Sequence, residues 1–141
     1  TIKDNNRSCV LKVTSQAGSV LLTGDIEKEA ELDLVLEDAD ALKSDVLIVP
    51  HHGSKTSSTP RFVEAVSPSI SVFTVGYLNR FRHPKSLVLE RYTDLNSLQY
   101  RSDYHGAIEI QFLHDPNQKA QISVASWRVQ NKRYWHDDYT D

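Results

Sequence analysis

The sequence has no methionine, a single cysteine and no long hydrophobic run. Natural chains begin with methionine, so its absence at Thr1 indicates a piece of a longer protein. One cysteine excludes an internal disulfide and a site built from several thiolates. Cys9 lies in an apolar strand pattern and is expected to be a small core residue. The apolar runs are far shorter than the roughly 20 residues that cross a bilayer.

The chain also has no excess of basic residues. Its 16 Lys and Arg residues are outnumbered by 19 Asp and Glu residues, which gives a formal net charge of −3. A protein that simply coats nucleic acid is normally basic, because phosphate neutralisation drives that binding. Any role with nucleic acid must therefore depend on a local basic patch or on metal chemistry.

What is present is an ordinary globular composition, with 39% hydrophobic and 25% charged residues in 141. That length suits one domain with a sizeable core. Apolar periodicity predicts three helices and a set of strands that alternate with them. The predicted helices are 27–43, 60–66 and 85–96; the predicted strands are 8–14, 19–23, 45–50, 70–76, 97–101, 106–113 and 121–126. This order predicts an α/β fold with a mixed sheet.

The first predicted helix is amphipathic. Leu32 and Leu36 belong to its apolar series, which we expect to face the core. Its acidic residues are expected to form a solvated face. These residues are Glu27, Glu29, Glu31, Glu37, Asp38 and Asp40.

Three polar motifs follow predicted strands, where sites in α/β folds tend to lie. In the first, LLTGD, Asp25 leaves a strand behind a glycine. A carboxylate on a rigid strand end suits a divalent ion. The alternative interpretation is a helix N-cap, because Asp caps helices well and a helix is predicted next.

The second motif, VPHHGS, places His51 and His52 directly after a buried strand. Adjacent side chains on an extended backbone point opposite ways, so we expect one to bind metal and the other to contact substrate. Gly53 permits a sharp turn, and Ser54 can donate to a phosphate oxygen. The alternative is a surface turn with two solvated histidines.

The third motif is NRFRHPK, residues 79–85. The cations Arg80, Arg82 and Lys85 should disfavour the charged form of His83 and leave a neutral imidazole. The same cations form a site suited to phosphate. An ordinary basic loop explains the motif equally well.

The motifs LLTGD, VPHHGS, NRFRHP and RSDYHGAI, in that order, resemble the hydrolase domain of ComEC-type competence proteins. The resemblance runs from about Asn5 to Trp135. It implies a partial metallo-β-lactamase-type αββα sandwich with a mixed sheet. Residues 1–126 would be the C-terminal part of that hydrolase domain, and residues 127–141 an aromatic and charged tail.

The resemblance also implies residue roles. Asp25 resembles the carboxylate that bridges two divalent ions, zinc or manganese, and His52 the final metal-binding histidine. His51 and His83 resemble groups on the substrate side. The family's His-x-His-x-Asp-His motif does not occur here. It is expected upstream of Thr1, so we expect the chain alone to be inactive.

The implied function is metal-assisted hydrolysis of phosphodiesters in the DNA strand that is not imported. Expected partners are single-stranded DNA, the N-terminal half of the domain and a membrane channel domain. The expected location is the external, periplasmic side of an inner-membrane protein, and self-association of the isolated piece is a further expectation. The alternatives are a non-catalytic DNA-binding domain of the same fold and a small phosphate-ester hydrolase.

Overall fold

The computed structural model describes residues 3–136, which form a helical layer and two sheets. The strands are β1 (Leu11–Ser15), β2 (Gly18–Leu22), β3 (Val46–Ile48), β4 (Ile70–Phe73), β5 (Leu98–Arg101), β6 (Ile108–Leu113) and β7 (Gln121–Ser126). The α-helices are α1 (Lys28–Asp38), α2 (Pro60–Val66), α3 (Ser86–Asp94), α4 (Ser102–His105) and α5 (Trp127–Gln130). Short 3₁₀ turns cover Asp4–Arg7, Asp40–Leu42 and Pro50–Gly53.

Strands β1 to β5 form one sheet in sequence order. β1 pairs antiparallel with β2, and the other three pairings are parallel. β6 and β7 form a separate antiparallel pair. The predicted α/β fold with a mixed sheet is therefore confirmed.

Alternation along the central strands builds two cores. Leu21, Leu47 and Phe73 pack in one buried cluster with α2 and α3. Val46 and Val72 point to the opposite face, where they pack against apolar residues of β6 and β7. Because strand side chains alternate between faces, one central sheet can bury both sides. The rigid sheet then fixes the loops that leave its carboxyl edge.

The predicted orientation of the first helix was wrong. Glu31 is fully buried, whereas Leu32 is 44% and Leu36 is 72% exposed. The Glu31 carboxylate accepts the backbone N–H groups of Ser58 at 2.5 Å and Thr59 at 2.8 Å. These charged-acceptor hydrogen bonds offset the cost of burial, which the apolar pattern does not reveal.

The N-terminal region differs from prediction in a second way. Cys9 is exposed and precedes β1, so the prediction of a core residue was wrong. β1 is an edge strand whose five residues are all exposed, with Leu11 at 55% and Val13 at 49%. Self-association of the chain stays a prediction.

The predicted division at residue 126 also stays a prediction. Residues 127–130 form α5, and the last five residues of the predicted tail lie outside the described residues. No helix within residues 3–136 is both long and apolar enough to cross a membrane.

Candidate functional site

The candidate site lies at the carboxyl edge of three neighbouring parallel strands. Asp25 follows β2, His51 and His52 follow β3, and Thr74 follows β4. Parallel strands end at one edge, so the topology brings these loops together. The His51 N–H donates to the carbonyl oxygen of Gly24 at 3.0 Å, which ties the first two loops to each other.

The histidine pair has an unusual backbone. His51 and His52 have φ angles of 50° and 57°, in the left-handed region. Their ring centroids are 6.5 Å apart. Gly53 continues the turn with φ of 78°, and a Cβ there would lie 2.6 Å from Cβ of Pro84. Glycine is thus required where the two loops touch.

His52 faces Asp25. Its Nε2 lies 3.5 Å from Oδ1 of Asp25, and both side chains are 46% exposed. Its Nδ1 lies 2.5 Å from the carbonyl oxygen of Thr74. Because a carbonyl only accepts, Nδ1 must carry the proton, and in the neutral ring Nε2 then presents a lone pair towards the carboxylate.

This arrangement fits a divalent cation. The Nε2–Oδ1 separation of 3.5 Å is longer than an ordinary hydrogen bond. It is close to the separation of about 3.4 Å between two ligands that bind one zinc ion tetrahedrally. Within residues 3–136, no group of three or more His, Cys, Asp or Glu side chains is arranged to hold a metal ion. Asp25 and His52 alone do not make up such a group, and the metal-binding roles predicted for them stay predictions.

The alternative interpretation of Asp25 as a helix cap is wrong. Helix α1 begins at Lys28, and its N-cap residue is Glu27, which makes no side-chain capping bond. The backbone of Asp25 is fixed by a hydrogen bond, because its N–H donates to the Ser8 hydroxyl at 3.2 Å. Its carboxylate remains available to a ligand at the surface.

His51 belongs to a buried polar network. Its Nδ1 lies 3.6 Å from Oε1 of Glu27 and 3.3 Å from the hydroxyl of Thr56. That hydroxyl is 3.1 Å from the hydroxyl of Ser54, which is buried. The network fixes the His51 ring and connects it to Ser54 through the Thr56 hydroxyl.

Glu27 is the carboxylate in this network. Its side chain is only 8% exposed and it pairs with Lys3 at 2.6 Å. The hydrogen bond from Lys3 lowers the pKa of Glu27 against the opposing effect of burial, with help from Asn5. The predicted solvated position of Glu27 was wrong, and its carboxylate is ionised beside His51.

His83 completes what we call the histidine cluster, His51, His52 and His83. Its ring centroid lies 6.2 Å from that of His51, and the Phe81 ring stacks on it with a centroid distance of 5.8 Å. Burial lowers the pKa of His83, with a smaller contribution from Lys85 and the other two histidines. The predicted neutral imidazole is therefore favoured, although mainly by burial. Its Nδ1 is buried and has no hydrogen-bond partner in the described part of the chain.

Asn79 closes the loop that carries His83. Its amide donates to the His83 carbonyl oxygen at 2.8 Å and accepts the His83 N–H at 2.8 Å. Arg80 and Arg82 remain exposed on this loop. Lys85 donates to the Phe81 carbonyl oxygen at 2.6 Å. The three predicted phosphate-binding cations thus lie together beside His83, and their role stays a prediction.

Three neighbours of the site were missed from sequence. Glu27 could have been found from the pattern of residues 25–27, which runs acidic, apolar, acidic. In an extended chain, side chains two positions apart point to the same side, so Glu27 would lie on the same side as Asp25. Thr56 is a hydroxyl in a Ser/Thr-rich loop and gave no specific signal. Thr74 acts mainly through its backbone carbonyl, which sequence patterns cannot mark.

Comparisons with known proteins support the resemblance to competence proteins. Competence protein ComA of Neisseria gonorrhoeae is 40% identical over 108 residues, 77% of this chain and 16% of its own length. ComE operon protein 3 of Bacillus subtilis is 36% identical over 108 residues, 77% of this chain and 14% of its own length. Recombination protein 2 of Haemophilus influenzae is 35% identical over 130 residues, 90% of this chain and 16% of its own length.

The chain spans about a sixth of the length of these curated relatives. No model of a known protein family matches the sequence. With these identities over most of its length, the chain is related to one segment of proteins named for competence and recombination.

Proposed function

We propose that this chain is part of a metal-dependent hydrolase domain in a DNA-uptake protein, and that the domain hydrolyses phosphodiesters. The observation that carries the proposal is the pairing of Asp25 with Nε2 of His52, backed by the Thr74 carbonyl. A carboxylate and an oriented imidazole at the carboxyl edge of a sheet are the groups that hold a catalytic cation. The names of the relatives supply the setting of DNA uptake.

Asp25 and His52 would hold zinc or manganese, in a two-ion site of metallo-β-lactamase type. When bound, such ions activate a water molecule and stabilise the charge on the phosphate. The remaining ligands would come from residues that precede this chain in a longer protein, as the much greater length of the relatives allows. Alone, this chain would bind metal weakly and would not turn over.

The other residues of the site would act on the substrate. His51, fixed by Glu27 and Thr56, orients the phosphate, and Ser54 supports it through Thr56. A neutral His83 can accept or donate a proton at Nδ1, which has no other partner within residues 3–136. Arg80, Arg82 and Lys85 would bind neighbouring phosphates of the strand.

We place the domain beside a membrane channel domain of the same protein, on the external side. There it would degrade the strand that is not imported. Its partners would be single-stranded DNA and the preceding half of the domain, which would cover the exposed β1 edge. Recombination and competence in the relatives' names are compatible with this placement.

One observation favours a second function, a DNA-binding domain that no longer cleaves. Within residues 3–136 no complete metal-binding group is present, yet the basic loop is exposed. In that case Arg80, Arg82 and Lys85 would bind DNA through phosphate contacts, and binding would weaken steeply with salt.

Metal dependence separates the two functions. We expect the full-length protein to cleave labelled DNA with Mn²⁺ or Zn²⁺ and to stop when EDTA is added. The measurement is product formation on a denaturing gel, with metal-free protein and added Mg²⁺ as controls. Salt-sensitive binding that EDTA does not change, without any cleavage, would contradict the hydrolase and favour the binding domain.

A further inference from the structure

A second concave surface adjoins the histidine cluster on the far side of the His83 loop. This cleft of about 750 Å³ lies between the loop and the segment that follows β5. Tyr77, Arg80 and Arg82 line one side, and Arg101 and Tyr104 line the other. Its size falls within the range of small-molecule sites. We call it the arginine cleft.

The arginine cleft is positively charged although the chain as a whole has a net charge of −3. Asp103 is the acidic residue in its lining, and it is already paired with Arg101 through two bonds of 3.1 and 2.7 Å. Arg80 and Arg82 form no ion pair with any described residue and are exposed. Their guanidinium groups are therefore available to a phosphate.

The cleft also offers aromatic surface. Tyr77 is 59% exposed at its edge. Across the cleft, the Arg101 guanidinium lies 3.7 Å from the ring centroid of Tyr104, a cation–π contact that forms a flat platform. A nucleotide fits such a surface, because its base stacks on an aromatic ring while its phosphate pairs with arginine.

The position of His83 connects the cleft with the candidate metal site. Its ring lines the cleft and lies 6.2 Å from the ring of His51. A chain with one phosphate at the histidine cluster can thus place an adjoining nucleotide in the cleft. Bases of a duplex are already stacked and paired, so only an unpaired strand can present a base there.

We infer that the arginine cleft binds a base and its phosphate from single-stranded DNA, with Tyr77 as the stacking residue and Arg80 and Arg82 as the phosphate ligands. The choice of DNA rests on the proposed function. The stacking and charge of the cleft do not involve the metal site, so binding there is expected without any metal.

The test is fluorescence anisotropy with a labelled thymidine oligonucleotide of about 12 nucleotides, in EDTA and at low salt. We expect Tyr77→Ala to weaken binding about tenfold or more, and Tyr77→Phe to retain it. Tyr134→Ala is the matched control, because Tyr134 is 95% exposed outside the cleft, and it should change binding less than about twofold. Thermal melting verifies that each variant is folded.

An abasic oligonucleotide of equal length tests the base directly. We expect it to bind to the unchanged chain as weakly as the thymidine oligonucleotide binds to the Tyr77→Ala variant. Equal affinity for abasic and normal strands, or equal effects of Tyr77→Ala and Tyr134→Ala, would overturn the inference. The inference would also be overturned if thymidine monophosphate displaced the oligonucleotide when both are present at the same concentration, because the cleft would then bind free nucleotides.

These results are separable from the hydrolase proposal. If the full-length protein cleaves no DNA but binding still depends on Tyr77, the inference stands and the hydrolase fails. If cleavage requires metal but binding does not depend on Tyr77, the hydrolase stands and the inference fails.

Discussion

Replacing Asp25 with asparagine, or His52 with alanine, is expected to slow metal-dependent DNA cleavage by the full-length protein about 100-fold or more. Each change removes one of the two proposed ligands, whose Nε2 and Oδ1 atoms lie 3.5 Å apart. With one ligand fewer, the site would bind the cation more weakly and hold it less precisely. The stabilisation of charge on the phosphate in the transition state, worth several kcal/mol, would then be lost. The measurement is the initial cleavage rate at saturating Mn²⁺.

Two exposed residues provide matched controls. Asp33→Asn removes a carboxylate from the surface of α1, and His114→Ala removes an imidazole that follows β6. Both should cleave DNA at the unchanged rate. The Asp25→Asn and His52→Ala variants should still bind single strands in EDTA. Full activity in both site variants, in protein shown to bind metal, would refute the assignment of Asp25 and His52.

The second large effect concerns stability. Replacing Glu31 with alanine should lower the free energy of unfolding by about 3 kcal/mol, because two backbone N–H groups, one of them fully buried, lose their acceptor. These N–H groups belong to Ser58 and Thr59, and Ser58 has a strained φ of 55°. Urea unfolding measures the change. Glu37→Ala, on the exposed side of the same helix, should change stability by less than about 0.5 kcal/mol.

Glu31 should also make stability depend on pH. Burial raises its pKa above the ordinary 4.5, against the hydrogen bonds from Thr59 and Ser58. The folded chain then holds this proton more tightly than the unfolded chain, so its contribution to stability falls as pH rises from about 4.5 through the raised pKa. Glu31→Gln should remove this decline, and an unchanged pH profile in that variant would contradict the explanation.

The sequence patterns predicted the fold well where burial follows periodicity. Helix α2 has the predicted bounds, Pro60–Val66, and the mixed sheet was expected from the alternation of strands and helices. The edge with Asp25 and the histidine pair was also foreseen, because both motifs directly follow apolar strand patterns. Because β2 and β3 pair in parallel, the two motifs that follow them lie at the same edge of the sheet.

The errors occurred where tertiary contacts, and not the local pattern, decide whether a residue is buried. Glu31 looks like a surface residue in any periodicity analysis, and only the distant Ser58 and Thr59 explain its burial. Cys9 was expected in a strand that begins two residues later. The left-handed turn at His51 depends on loops packing around Gly53, so sequence spacing could not reveal it.

We propose that Nε2 of His52 and the carboxylate of Asp25 hold a divalent cation. Nitrogen-15 NMR of the histidine rings during titration with Zn²⁺ tests this proposal, since this chain contains both side chains. We expect the Nε2 signal of His52 to shift while its Nδ1 stays protonated against the Thr74 carbonyl, and we expect Asp25→Ala to abolish the shift. A titration in which His52 is unaffected, or responds equally in the Asp25→Ala chain, would contradict it.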